Sequence, residues 1–257
     1  MNGNKILKFI ILDILRNKWV ITYTLFLMCI SAGLMFFSKD STKTIISVLN
    51  VVLILVPLVS ILFCSIHFYN SKEFIQMLLS QPVKRSTIFF AEYAGLVISL
   101  SVSYLAGIII PLSFYGVSLI LIYLALTGIF LSAIFSAVSV LISISTDEKV
   151  KGIGISLFLW LFFSVLYDGL VLLVYFAFHD YPLEKIMILV TTLNPVDLSR
   201  VLILLKLDIS ALMGYTGANF QKAAGSITGI VISFAVLTIW SITPLYIAYR
   251  KFIKKNF

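Results

Sequence analysis

The sequence predicts an all-α integral membrane protein built on six transmembrane helices. Of its 257 residues, 61% are hydrophobic and only 12% charged, and the mean hydropathy is +1.10, well outside the range of water-soluble domains. Six runs reach the roughly 20 mostly apolar residues that a helix needs to cross a hydrocarbon core: 19–37, 45–68, 88–114, 119–144, 152–178 and 227–249. None shows the residue-by-residue alternation of a barrel strand, and only helices and closed barrels satisfy the backbone within lipid.

Ahead of the first run, KILKFIILDILRNKW places Lys5, Lys8, Asp13 and Arg16 on one helical face, with Phe9, Ile10, Ile14 and Leu15 largely opposite. This predicts an amphipathic interfacial helix over 1–18, lying on the membrane surface or serving as a topogenic leader. The first span lacks a small-residue cleavage site, so it is expected to be retained. Cys29 and Cys64 sit inside apolar runs with no metal or redox spacing, as small packing residues do.

The formal charge is +8, and its distribution says more than its sum. With the N-terminus in the cytoplasm, thirteen of the 19 Lys and Arg fall on the inner side: Lys5, Lys8, Arg16, Lys18, Lys72, Lys84, Arg85, Lys149, Lys151, Arg250, Lys251, Lys254 and Lys255. This bias obeys the positive-inside rule. It predicts a multi-pass protein of a bacterial inner membrane with both termini cytoplasmic, and it accounts for the charge without a nucleic-acid partner.

Between the second and third runs lies a polar stretch over 69–87. Ser71 is placed to cap a short helix, Glu73 falls in its first turn, and Phe74, Met77 and Leu78 share a face. Pro82 ends it, Lys84 and Arg85 follow, and Ser86 or Thr87 starts the next helix. The connections after the first, third and fourth spans are short.

The fifth run carries Asp168, in FFSVLYDGLVLLVY, the ionisable group nearest the middle of a span. Intramembrane charge is costly and marks a functional candidate. Its roles are a hydrogen bond to a neighbouring helix or subunit, or a gate or substrate contact. An aspartyl protease would need a second intramembrane aspartate, and no span supplies one.

After it comes an outer segment over 179–225. Asn194 is placed to cap a helix with Pro195 at its first position, Asp197 at its third and Arg200 one turn further on. The run to Leu212 is too short and too charged for a seventh span. It predicts an apolar-faced helix on the outer membrane surface, acting as a lid or as a docking site for an external subunit, with Asp208, Met213 and Tyr215 in the same partner or gate region.

Other chemistry finds no support. No phosphate-binding G-x-x-x-x-G-K-[ST] occurs, so ATP hydrolysis belongs to another chain. His67 and His179 fall on opposite sides, and no cluster offers a first shell for a metal. The chain is not expected to be an enzyme.

MLLSQPVKRSTIFFAEYAG, residues 77–95, resembles the L-L-x-x-P-V-x-R segment of ABC-2 type permeases, in which it forms a coupling helix docked on a cytoplasmic ATPase. The matching positions are Leu78, Leu79, Pro82, Val83 and Arg85, with Phe74, Met77 and Lys84 in the same segment. The resemblance covers the whole chain as one transmembrane domain. NPVDLSRVLILL, LDISALMGYTGA and LYDG, at 194–205, 207–218 and 166–169, are similar to the NosY type within that family. This resemblance implies a homodimer, a NosF-like ATPase carrying ATP and Mg, a NosD-like periplasmic β-helix protein, and a role in assembling the copper-sulfur cluster of nitrous oxide reductase. A generic ABC-2 exporter of lipid, glycan or peptide, and a non-transporting anchor for a periplasmic complex, are the alternatives.

Overall fold

A computed structural model describes residues 3–37, 41–114, 116, 119–177, 190–207 and 226–255. The described residues are almost wholly helical and contain no strand. Six helices are long and apolar enough to cross a membrane: Lys18–Phe37, Lys43–Asn70, Arg85–Ser113, Leu119–Ser145, Lys149–Val174 and Gly229–Lys254. The expected spans are all present; the first, second, third and fifth start one to three residues earlier, where polar side chains extend the helix into the interface, the fourth starts where expected and the sixth two residues later. The chain is a multi-pass, all-α membrane protein.

Helices in lipid gain little from hydrophobic burial against each other, so small residues and interhelical hydrogen bonds decide where they meet. The second, fourth and fifth spans meet at a serine seam. Ser65 Oγ lies 2.8 Å from Ser139 Oγ and 2.7 Å from Ser156 Oγ, Ser139 donates to the Ile61 carbonyl at 2.8 Å, and the Cys64 thiol donates to Ser136. At Gly128 the fourth span presses on the buried Tyr104 of the third, leaving no room for a Cβ. The Tyr104 hydroxyl donates to the Leu124 carbonyl at 2.7 Å.

Two spans contain a π turn, Leu105–Ile109 in the third and Phe162–Leu166 in the fifth. Such a turn adds a residue to the helix and disturbs the backbone ladder. In each, a neighbour donates to a carbonyl of the turn: Ser31 Oγ to Gly107 O at 2.9 Å, and Asn194 Nδ2 to Phe163 O at 2.9 Å.

The N-terminal helix Gly3–Leu15 packs lengthwise on the third span. Its buried stripe is Ile6, Ile10 and Ile14, with Ile10 seated on Gly95. Phe9, expected among the inward apolar residues, is instead 59% exposed and sets its ring 5.9 Å from Phe74. An i, i+4, i+8 row is narrower than the sequence face drawn over these residues, so Phe9 falls outside it.

One end of the bundle gathers the polar connections. Arg85 donates to the carbonyls of Ile253 (2.9 Å) and Lys255 (3.0 Å). Lys255 pairs with Asp147 at 2.7 Å, Lys72 donates to the Asp147 carbonyl, and Lys149 donates to Asn70. The hydrogen bond and charge of Lys255 hold the Asp147 carboxyl below its usual value. Starts and ends of four spans are thereby stapled at one basic end, as an even number of crossings between them requires.

Candidate functional site

Two regions drawn from the sequence acquire definite geometry. The first is the short helix Lys72–Leu79 at the basic end. Glu73 lies in its first turn, but Ser71 makes no side-chain cap, contrary to expectation; its hydroxyl lies 3.3 Å from His67 Nε2 instead. The reason is backbone: the second span runs to Asn70, so Ser71 sits between two helices with near-helical dihedrals and not the extended ones a cap needs.

The expected apolar face also divides. Leu78 is buried, together with Ile75, and Phe74, Leu79 and Val83 pack partly against the core. Met77, Pro82 and Lys84 face outward. Arg85 is exposed too, yet it is engaged in the staple to the C-terminal carbonyls. The surface offered at this end is therefore Met77, Gln81, Pro82 and Lys84, and Leu78 supports it from beneath.

Under this helix lies a group that the sequence reading passed over. Glu92 is only 3% exposed and faces His67 Nε2 at 3.6 Å, while its Oε2 has no hydrogen-bond partner among the described residues. Glu92 falls inside the third expected run, 88–114, and the helix that carries it starts at Arg85. Seven residues at about 1.5 Å each carry Glu92 about 10 Å into it. The start of that helix after Lys84 was the available signal.

The second region is the helix Pro195–Leu207. Its start forms as expected: Asn194 Oδ1 accepts from Val196 N at 2.9 Å, with Pro195 first and Asp197 third. Its location does not. Val196, Leu198, Val201, Leu202, Ile203, Leu204 and Leu205 are all at most 3% exposed, against the fourth and sixth spans. A surface helix leaves one face to solvent; this one is apolar on nearly every side and inserts among the spans.

Its depth follows from three contacts. Asn194 donates to Phe163 O, Trp240 Nε1 donates to the Thr192 carbonyl at 3.1 Å, and Tyr167 donates to the Val190 carbonyl at 2.6 Å. Phe163 lies 14 residues past Lys149 and Trp240 lies 14 before Lys254, about 21 Å along their helices from the basic end. The capped end thus sits deep within the bundle, and the helix runs from Phe163 toward Asp168, away from the basic end.

That direction brings together residues distant in sequence. Arg200 Nη1 lies 3.1 Å from Asp168 Oδ2 and 3.4 Å from Asp197 Oδ1. One guanidinium thus serves two carboxylates, 32 and 3 residues of chain away from it. Asp168 and Arg200 remain 37% and 32% exposed, and Asp197 13%. The arrangement is a half-open polar triad at membrane depth. Asp208, Met213, Tyr215 and His179 lie outside the described residues.

A further cavity, of about 510 Å³, separates the first and second spans; its wall is apolar at Val20, Phe26, Leu58 and Leu62, with His67 and Asn70 at one end. Among the described residues no group of three His, Cys, Asp or Glu is placed to hold a metal ion.

No curated protein matches the chain. Residues 74–257 match the family model described as "ABC-2 family transporter protein", which takes in most of the short helix and the whole half-open triad. With this match over most of its length and six spans, the chain belongs to the ABC-2 transporter family, a permease component whose family implies a partner ATPase.

Proposed function

We propose that the chain works as a pair of identical copies that couples a cytoplasmic ATPase, bound at the outward residues of 69–87, to a polar path at Asp168, Asp197 and Arg200. The observation that carries this is the partial exposure of the Asp168–Arg200 pair. Charge facing acyl chains costs several kcal/mol, and intramembrane ion pairs therefore face protein or a water-filled cavity. Leu157, Phe158, Val165, Leu172 and Leu173 of the fifth span are exposed, which leaves that face open to a second copy. On this reading the basic end is cytoplasmic and the membrane is the bacterial inner membrane, supported by the charge distribution.

The substrate divides the reading. The apolar cavity with one polar end supports a generic exporter of an amphiphile such as a lipid, glycan or peptide. The NosY-like assignment rests on the sequence resemblance alone. It would add a NosF-like ATPase, a NosD-like periplasmic partner and a role in maturation of the copper-sulfur cluster of nitrous oxide reductase, with metal ligands on the partner chains.

Co-expression with candidate ATPase and periplasmic partners, followed by purification and ATPase measurement, tests both. Permease-dependent hydrolysis that is lost in Met77→Asp or Lys84→Glu, with unchanged thermal stability, supports docking at the outward residues; hydrolysis unaffected by either overturns it. Leu78→Asp is no test of docking, because it places a charge in the core. A bound β-helix partner would favour the NosY-like reading, and its absence the exporter.

A further inference from the structure

The sixth span ends at the basic pole in a shallow cavity of about 430 Å³ lined by Tyr246, Ile247, Arg250, Lys251, Lys254 and Lys255. Four cations around one hollow repel each other unless something answers them. Lys255 is answered by Asp147. Arg250, Lys251 and Lys254 have no carboxylate within 4.0 Å among the described residues. Lys251 donates only to the neutral Ser145 hydroxyl, and the Arg250 guanidinium lies over the Tyr246 ring, 4.8 Å from its centre.

The same helix continues from these cations into an exposed apolar stripe. Ile239, Ile242 and Tyr246 are 60%, 57% and 51% exposed and follow one another at helical spacing, in line with Arg250 and Lys254. From Ile239 to Lys254 is 15 residues, about 22 Å of helix. Half of a bilayer, headgroups included, is about 20–22 Å. The stripe therefore has the length of one lipid in one leaflet, apolar along the acyl chain and cationic where the phosphate lies.

We propose that this surface binds an anionic phospholipid, its phosphate in the cavity between Arg250 and Lys254 and one acyl chain along Ile242 and Ile239. Tyr246 marks the boundary, with its ring packed between the apolar stripe and the guanidinium, a place suited to an amphipathic aromatic. Two uncompensated cations one turn apart hold a phosphate from two sides, and the guanidinium supplies a planar fork matched to its oxygens. A zwitterionic lipid brings its own cation into the hollow and loses the advantage.

Native mass spectrometry of the full-length chain, stripped of lipid in detergent and titrated with phosphatidylglycerol or phosphatidylcholine, tests this. The expected result is retention of one phosphatidylglycerol per chain under conditions that remove phosphatidylcholine. Arg250→Ala with Lys254→Ala weakens retention about thirty-fold, from about 1 kcal/mol per cation at tenfold per 1.4 kcal/mol. Arg250→Lys with Lys254→Arg keeps most of it. Lys8→Ala with Lys151→Ala removes two exposed cations elsewhere and leaves retention unchanged. Equal retention of the two lipids, or equal loss in the Lys8/Lys151 pair, overturns the site in favour of diffuse attraction. Displacement of the lipid by millimolar inorganic phosphate overturns the lipid assignment and identifies a soluble anion as the occupant.

Discussion

Arg200→Ala is the most informative perturbation of the half-open triad. The guanidinium lies between Asp168 and Asp197 at 3.1 and 3.4 Å, so its removal loses two attractions and leaves two carboxylates with no cation between them. Breaking a fully buried pair costs about 3–5 kcal/mol, whereas an exposed pair is worth at most about 1. With Arg200 and Asp168 about a third exposed and Asp197 nearly covered, the expected cost is about 2 kcal/mol. For a chain of this size that corresponds to a melting point lower by about 4–8 °C, readable from the fluorescence of Trp160 and Trp240 in detergent. The decisive measurement is the cycle with Asp168→Asn. In the native background this change removes a partner of Arg200 and destabilises. In the Arg200→Ala background it removes one of two facing charges and restores part of the loss, a coupling of reversed sign. A double variant less stable than Arg200→Ala alone, or a melting point unaltered by Arg200→Ala, would refute the triad as a balance of one cation against two anions.

Other outcomes follow from the same geometry. Gly128→Ala forces a methyl against the Tyr104 ring; overpacking costs about 1–3 kcal/mol, and Tyr104→Ala in the same chain recovers part of it, with additive losses excluding the contact. Cys64 is buried in the seam, its thiol donating to Ser136, so a chain carrying Cys29→Ser takes up maleimide only on unfolding. Labelling before unfolding would contradict the seam between the second and fourth spans.

Sequence made the spans legible because length and apolarity alone decide crossing, and it made the start of the Pro195–Leu207 helix legible because Asn194, Pro195 and Asp197 act within one turn. Depth was not legible. Arg200 and Lys206 make the helix look too polar for the interior, and only the tertiary pairing of Arg200 with Asp168 removes that objection. Glu92 was hidden for a different reason: it lies near the start of the apolar run, where a charge reads as interfacial, whereas the helix begins earlier, at Arg85, and carries it into the bundle. The face of the short helix Lys72–Leu79 was only half visible, since periodicity groups Phe74, Met77 and Leu78 but does not say which side meets the core. The π turns leave no sequence trace.

The π turn of the fifth span lies between its basic end and Asp168. It is one surplus residue in the spiral, and compared with an unbroken α-helix it turns everything beyond by about 100°. Asp168 meets Arg200 from this shifted register. The amide of Asn194 answers the Phe163 carbonyl inside the turn, so the helix that carries Arg200 also secures the turn that aims Asp168 at it.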